Sequence, residues 1–156
     1  EWFAWWEAGK DPTKPFKKHR LPGKHPGATN IMPADVNGDG KLDIVASRGH
    51  GTGLIWYENP KWEIHDINTE LQSPHCLQIG DIDKDGDLDA ATCAYLSRKV
   101  AWFENDGKGK FTTHIINTDQ CAYDIRLVDM DKDGNLDVLI AGQRSNNVVW
   151  YENPLK

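Results

Sequence analysis

Three stretches of this chain concentrate oxygen ligands at a spacing that suits a hard cation. They read Asp35-Val-Asn-Gly-Asp-Gly-Lys-Leu-Asp43, Asp81-Ile-Asp-Lys-Asp-Gly-Asp-Leu-Asp89 and Asp129-Met-Asp-Lys-Asp-Gly-Asn-Leu-Asp137. Side-chain oxygens at positions 1, 3, 5 and 9, a backbone carbonyl at 7 and glycine at 6 make a calcium loop. The expected ligands are Asp35, Asn37, Asp39, Lys41 and Asp43; Asp81, Asp83, Asp85, Asp87 and Asp89; and Asp129, Asp131, Asp133, Asn135 and Asp137, position 7 acting through its carbonyl. Two like charges ~4 Å apart near a protein surface repel by about 4 kcal/mol, and a divalent ion reverses that sign. All-oxygen ligation favours calcium over zinc or copper, and the rigid octahedron of magnesium suits a flexible loop poorly. The loops hold half of the 24 acidic residues, and three calcium ions would offset the net charge of −6. The acidity therefore needs no basic partner, and nucleic-acid binding is not expected.

An EF-hand begins the same way but needs a bidentate Glu at position 12 and flanking helices. Position 12 here is Ala46, Thr92 or Ile140. Each loop leads instead into a short apolar run ended by polar or glycine residues, which reads as a buried strand.

The loops recur 46 and 48 residues apart, so each belongs to one copy of a supersecondary unit. A strand enters each loop (30–34, 76–80, 124–128) and a second leaves it (42–47, 88–95, 136–141). A third carries Trp56-Tyr-Glu-Asn59, Trp102-Phe-Glu-Asn105 or Trp150-Tyr-Glu-Asn153, and a fourth alternates in Glu63–Ile67 and Phe111–Ile115. Trp5-Trp6-Glu7 and Phe16–Leu21 repeat the third and fourth strands at the N-terminus. Four short strands per repeat, joined by Gly, Asn and Pro turns, predict an all-β protein of β-propeller blades. The expected organisation is a partial blade over 1–22, blades over 30–68 and 76–117, and a blade over 124–153 lacking its outer strand. Thirteen strands fall short of a closed ring of 4–8 blades, so further residues or further copies of the chain are expected to close it. In one such scheme the strand Phe16–Leu21 of one copy completes the last blade of the next.

The loops, their flanking strands and the WYEN/WFEN strand resemble the FG-GAP/VCBS family of calcium-binding β-propeller repeats, found in integrin-type heads and in many bacterial secreted proteins. The resemblance covers nearly the whole chain. It implies calcium as cofactor and a secreted, periplasmic or cell-surface location, where millimolar calcium would fill such loops. No run of ~18 apolar residues is present, so no membrane span is expected.

In a four-stranded blade the loop between strands one and two lies on one face, and the two-to-three and four-to-one connections lie on the other. A ligand site is expected on that second face. It gathers Arg48, His50, Tyr95, Arg98 and Arg144 from the two-to-three loops, and His75, Gln120, Tyr123 and Asp124 from the four-to-one connections. Guanidinium forks suit carboxylate or sulfate groups. The expected function is a calcium-stabilised binding or scaffold module for a glycan or protein. The alternative is a propeller enzyme of the polysaccharide lyase or sugar dehydratase type, with His50, His75 or Tyr123 abstracting a proton beside a carboxylate or carbonyl. Trp56, Trp102 and Trp150 repeat in register and are expected to pack between blades, leaving Trp2 and Trp62 as sugar-stacking candidates. Cys76, Cys93 and Cys121 lack metal-ligand spacing and are expected as buried thiols, although Cys76 and Cys93 could face each other across two strands.

Overall fold

The computed structural model describes residues 2–155. It holds thirteen strands and, among the described residues, no helix. Sheet one pairs β1 (Ala4–Glu7) with β2 (Lys17–Arg20). Sheet two runs in sequence order through β3 (Asn30–Ala34), β4 (Asp43–Ser47), β5 (Thr52–Glu58) and β6 (Glu63–Gln72). Sheet three repeats it with β7 (Pro74–Gly80), β8 (Asp89–Ala94), β9 (Lys99–Asn105) and β10 (Phe111–Asn117). Sheet four has three strands, β11 (Asp124–Val128), β12 (Asp137–Gly142) and β13 (Asn147–Tyr151). Every pairing is antiparallel.

The sheets stack face to face, and the two-residue period of a strand sends alternate side chains into different layers. Ile44 and Ala46 of β4, with Ile55 and Tyr57 of β5, face sheet one and meet Phe3 and Leu21. Val45, Leu54 and Trp56 face the other way and meet Leu77, Ala90 and Phe103 of sheet three. Ala91, Cys93 and Val100 then turn from sheet three toward Ile125, Val138 and Ile140 of sheet four. Strands buried on both faces explain the unbroken apolar runs after each acidic loop.

A cross-strand set repeats in three sheets. A histidine on the fourth strand stacks on the tryptophan directly opposite: Trp5–His19 at 4.1 Å, Trp56–His65 at 4.4 Å and Trp102–His114 at 4.5 Å between ring centroids. Its Nε2 reaches the glutamate two residues beyond that tryptophan, in Glu7–His19 (2.9 Å), Glu58–His65 (2.9 Å) and Glu104–His114 (2.6 Å). Sheet four carries Trp150 and Glu152 without a fourth strand among the described residues.

The tryptophans do not all pack as expected. Trp56 is 3% exposed beneath sheet three, Trp102 is half-buried, and Trp150 is 43% exposed because no described sheet lies beyond the fourth. Trp62 is half-buried against Trp5 at 6.5 Å, and the Lys18 ammonium sits 3.6 Å over one face of Trp2, which is 37% exposed. The strand expected over Phe16–Leu21 pairs with β1 of its own chain. Cys76 and Cys93 are direct cross-strand partners, and all three cysteines are buried and unpaired.

Candidate metal loops and the opposite face

Each acidic loop joins the first two strands of its sheet, and one geometry recurs. The position-9 aspartate is buried, and each of its oxygens accepts a backbone amide. Asp43 accepts from Val36 (3.0 Å) and Asn59 (2.8 Å), Asp89 from Ile82 (2.9 Å) and Asn105 (2.9 Å), and Asp137 from Met130 (3.0 Å) and Asn153 (2.8 Å). This residue therefore ties position 2 of the loop to the end of the third strand. Burial lifts the Asp89 carboxyl to about 6 even though the two amides pull it down, and the neighbouring Asp83 and Asp85 charges add to the rise.

At the other end, the position-1 aspartate accepts the position-6 glycine amide: Gly40 to Asp35 (2.9 Å), Gly86 to Asp81 (3.2 Å) and Gly134 to Asp129 (3.1 Å). These glycines have φ of 81°, 98° and 90°, a region that suits glycine. Position 4 is left-handed too, with φ of 71° at Gly38, 64° at Lys84 and 66° at Lys132. Sequence reasoning missed that requirement, because lysine gives no signal for it.

In the second loop, ligand atoms of Asp81, Asp83 and Asp85 lie within 4.8 Å of one another, as do those of Asp129, Asp131 and Asp137 in the third. In both, the second oxygen of the position-1 aspartate (Asp81 Oδ1, Asp129 Oδ1) is buried without a hydrogen-bond partner among the described residues. A buried carboxylate oxygen with no donor is costly, and a divalent cation is the partner that the surrounding oxygens would accept. The donor set fits a hard ion. Asp87 at position 7 does not join the second cluster by its side chain, and Asn135 donates its side-chain amide to Asp133 Oδ2 at 2.6 Å.

The asparagine that ends the third strand is a site residue that sequence reasoning left without a role. Asn105 Nδ2 donates to Leu88 O (3.2 Å) within its own sheet and to Val36 O (2.8 Å) in the first loop. Asn153 does the same to Leu136 O (3.1 Å) and to Ile82 O (2.8 Å) in the second loop. The first and second acidic loops are thus each latched by the next sheet. The signal was the repeated Asn59, Asn105 and Asn153.

An apolar cleft of about 340 Å³ lies on this same side, beside Trp102, Ile116, Tyr151 and Leu155. At the preceding interface Gly109 and Phe111 occupy the equivalent place beside Trp56. The cleft lies beside β13, the outermost described strand of sheet four.

On the opposite face the two-to-three turns and the four-to-one connections meet through backbone bonds such as His50 N to Gly27 O (3.2 Å), Tyr95 N to Ser73 O (2.9 Å) and Gln120 N to Arg98 O (3.0 Å). Four of the expected residues come together there. His75 lies edge-on to His50 (4.8 Å) and to Tyr123 (4.2 Å), and Tyr95 stacks parallel on Tyr123 at 4.7 Å. Burial, helped by the His50 charge, holds the His75 imidazole below its ordinary value, favouring the neutral ring. The arginines do not join them. Arg98 pairs with Asp119, Arg144 is exposed to solvent, and Arg48 is half-buried with its Nε unpartnered among the described residues. Asp124 pairs with Arg126 (2.5 Å), and Gln120 is buried.

The protein-family model described as FG-GAP-like repeat matches residues 35–92 and 81–140, each span running from one acidic loop through the next. No curated protein matches the chain. Among the described residues no helix is long and apolar enough to cross a membrane.

Proposed function

The chain belongs to the FG-GAP-like repeat family, and from that membership and the geometry of its acidic loops we propose a calcium-stabilised binding module of the VCBS type. The carrying observation is the pair of buried oxygens, Asp81 Oδ1 and Asp129 Oδ1, that have no partner among the described residues, each on an aspartate clustered with two further carboxylates. The residues that would hold the ions are those at positions 1, 3, 5 and 9, with the position-7 carbonyl. A bound ion would supply two positive charges to loops rich in carboxylates. The latches by Asn105 and Asn153 would pass that stiffening from one sheet to the next. Calcium supply favours a secreted, periplasmic or surface setting.

The ligand side of the proposal is the His50–His75–Tyr95–Tyr123 group, which would present imidazole and phenol edges to a glycan or a protein. A glycan array on the calcium-loaded protein tests it: binding that disappears in a His75→Ala, Tyr123→Ala variant supports it. An unchanged array pattern removes this face as the ligand site.

The second reading, a sugar lyase or dehydratase, draws on one observation: His75 is held neutral beside a tyrosine, as a general base needs. Product formation from uronic-acid polysaccharides, absent in His75→Ala, would place it first.

Self-association belongs to the same proposal. The free edge of β13, with Val148 73% and Trp150 43% exposed, is where a further copy would add. A monomeric mass in light scattering would remove it.

A further inference from the structure

We infer that the three acidic loops are not equivalent: the second and third take a divalent cation tightly, whereas the first already carries a cation of its own, the Lys41 ammonium, and takes calcium much more weakly. This ranking rests on reading the loops as calcium sites.

Three features separate the first loop. Its position-1 aspartate has no spare oxygen of the kind seen in the others. Asp35 Oδ1 accepts the Asp39 amide (3.1 Å) and Oδ2 accepts the Gly40 amide (2.9 Å), whereas Asp81 Oδ1 and Asp129 Oδ1 have no donor among the described residues. Its position-5 carboxylate is engaged by an ammonium, with Lys41 Nζ 2.5 Å from Asp39 Oδ2. Its position 3 is a neutral amide, Asn37, whose Nδ2 leans toward Glu58 Oε1 at 3.4 Å.

The charge count runs the same way. The first loop sets three carboxylates against Lys41, the second five against Lys84, and the third four against Lys132. Calcium affinity in such loops follows ligand charge, so the expected order is second, third, first. Lys84 and Lys132 at position 4 do not imitate Lys41, since neither forms a salt bridge to its loop among the described residues. The first loop would then keep its turn at low calcium, with the other two as the responsive sites.

The test is a calcium titration of the full chain, stripped with chelator, by calorimetry and by the amide resonances of Gly40, Gly86 and Gly134. The ranking predicts that Gly86 and Gly134 move in a first phase of two equivalents. Gly40 moves only at roughly tenfold or more higher calcium. Lys41→Asn, which copies position 7 of the third loop, should bring Gly40 toward the first phase. Three equivalent sites in the native chain, with all three glycines moving together, would overturn the ranking and leave calcium binding standing. A weak phase unmoved by Lys41→Asn would also overturn it. No binding at any loop would overturn the ranking together with the reading beneath it. The native titration decides even where the variant does not fold.

Discussion

Asn105, at the end of β9, donates its side-chain amide across an interface between sheets to the carbonyl of Val36, 2.8 Å away and 69 residues earlier in the chain. That bond joins an acidic loop to the neighbouring sheet, and Val36 is 1% exposed beneath it. The Asn153–Ile82 bond repeats it (2.8 Å), with Ile82 6% exposed, whereas the equivalent Met130 of the third loop has no such cover among the described residues and is 44% exposed.

Asn105→Ala should therefore leave two carbonyls, Val36 O and Leu88 O, short of a donor and destabilise the protein by roughly 2–4 kcal/mol. Asn59→Ala should cost less, about 1 kcal/mol, since Asn59 Nδ2 bonds only to Leu42 O within its own sheet. Urea unfolding of the two variants at saturating calcium gives the comparison. Equal losses would remove the role assigned to the bond between sheets.

Gly109 has φ of 82°, and a Cβ there would meet the Trp56 ring at 2.5 Å. Gly109→Ala should lift the β9–β10 turn off Trp56 and destabilise by roughly 2–4 kcal/mol, from overpacking plus left-handed strain. A red shift in Trp emission would accompany it. A variant as stable as the parent would mean that this interface is not tightly packed.

The Asp89 carboxyl, held near 6 by burial against an ordinary 3.8, sets a pH dependence. Between these values the folded ion-free protein keeps a proton that the unfolded chain has released. Its stability should thus fall by up to about 3 kcal/mol as pH rises through this window, and level off above it. Calcium must displace that proton, so affinity at the second loop should drop below pH 6, by up to about tenfold per pH unit. A carboxyl titration tracked by NMR in chelator checks the first part. Titration near the ordinary value would contradict it.

Most of the fold was legible because two periods coincide in the sequence. The spacing of the Asp loops fixed the repeat, and the apolar runs 44–46 and 90–94 marked strands buried on both faces. The boundaries drifted where hydrogen bonding rather than composition ends a strand. β6 runs on to Gln72, well past the Ile67 at which its alternation stops. Of the candidate ligand face, the His75 and Tyr123 positions were readable from the four-to-one connections. The fate of the arginines was not, since a guanidinium on a long stem goes to the nearest carboxylate, as Arg98 does with Asp119. The position-9 aspartates looked like plain ligands, and only the folded geometry reveals that both of their oxygens also brace backbone amides. The Trp–His stack was hidden for a different reason. It depends on cross-strand register, set by turns whose lengths differ between sheets.

The most direct measurement is the melting temperature of the chain as free calcium is raised from chelator to several millimolar. Each loop filled to a hundred times its dissociation constant should add about 2.7 kcal/mol, so calcium-held loops predict a steep, saturable rise that magnesium does not reproduce. A melting temperature indifferent to calcium would contradict them.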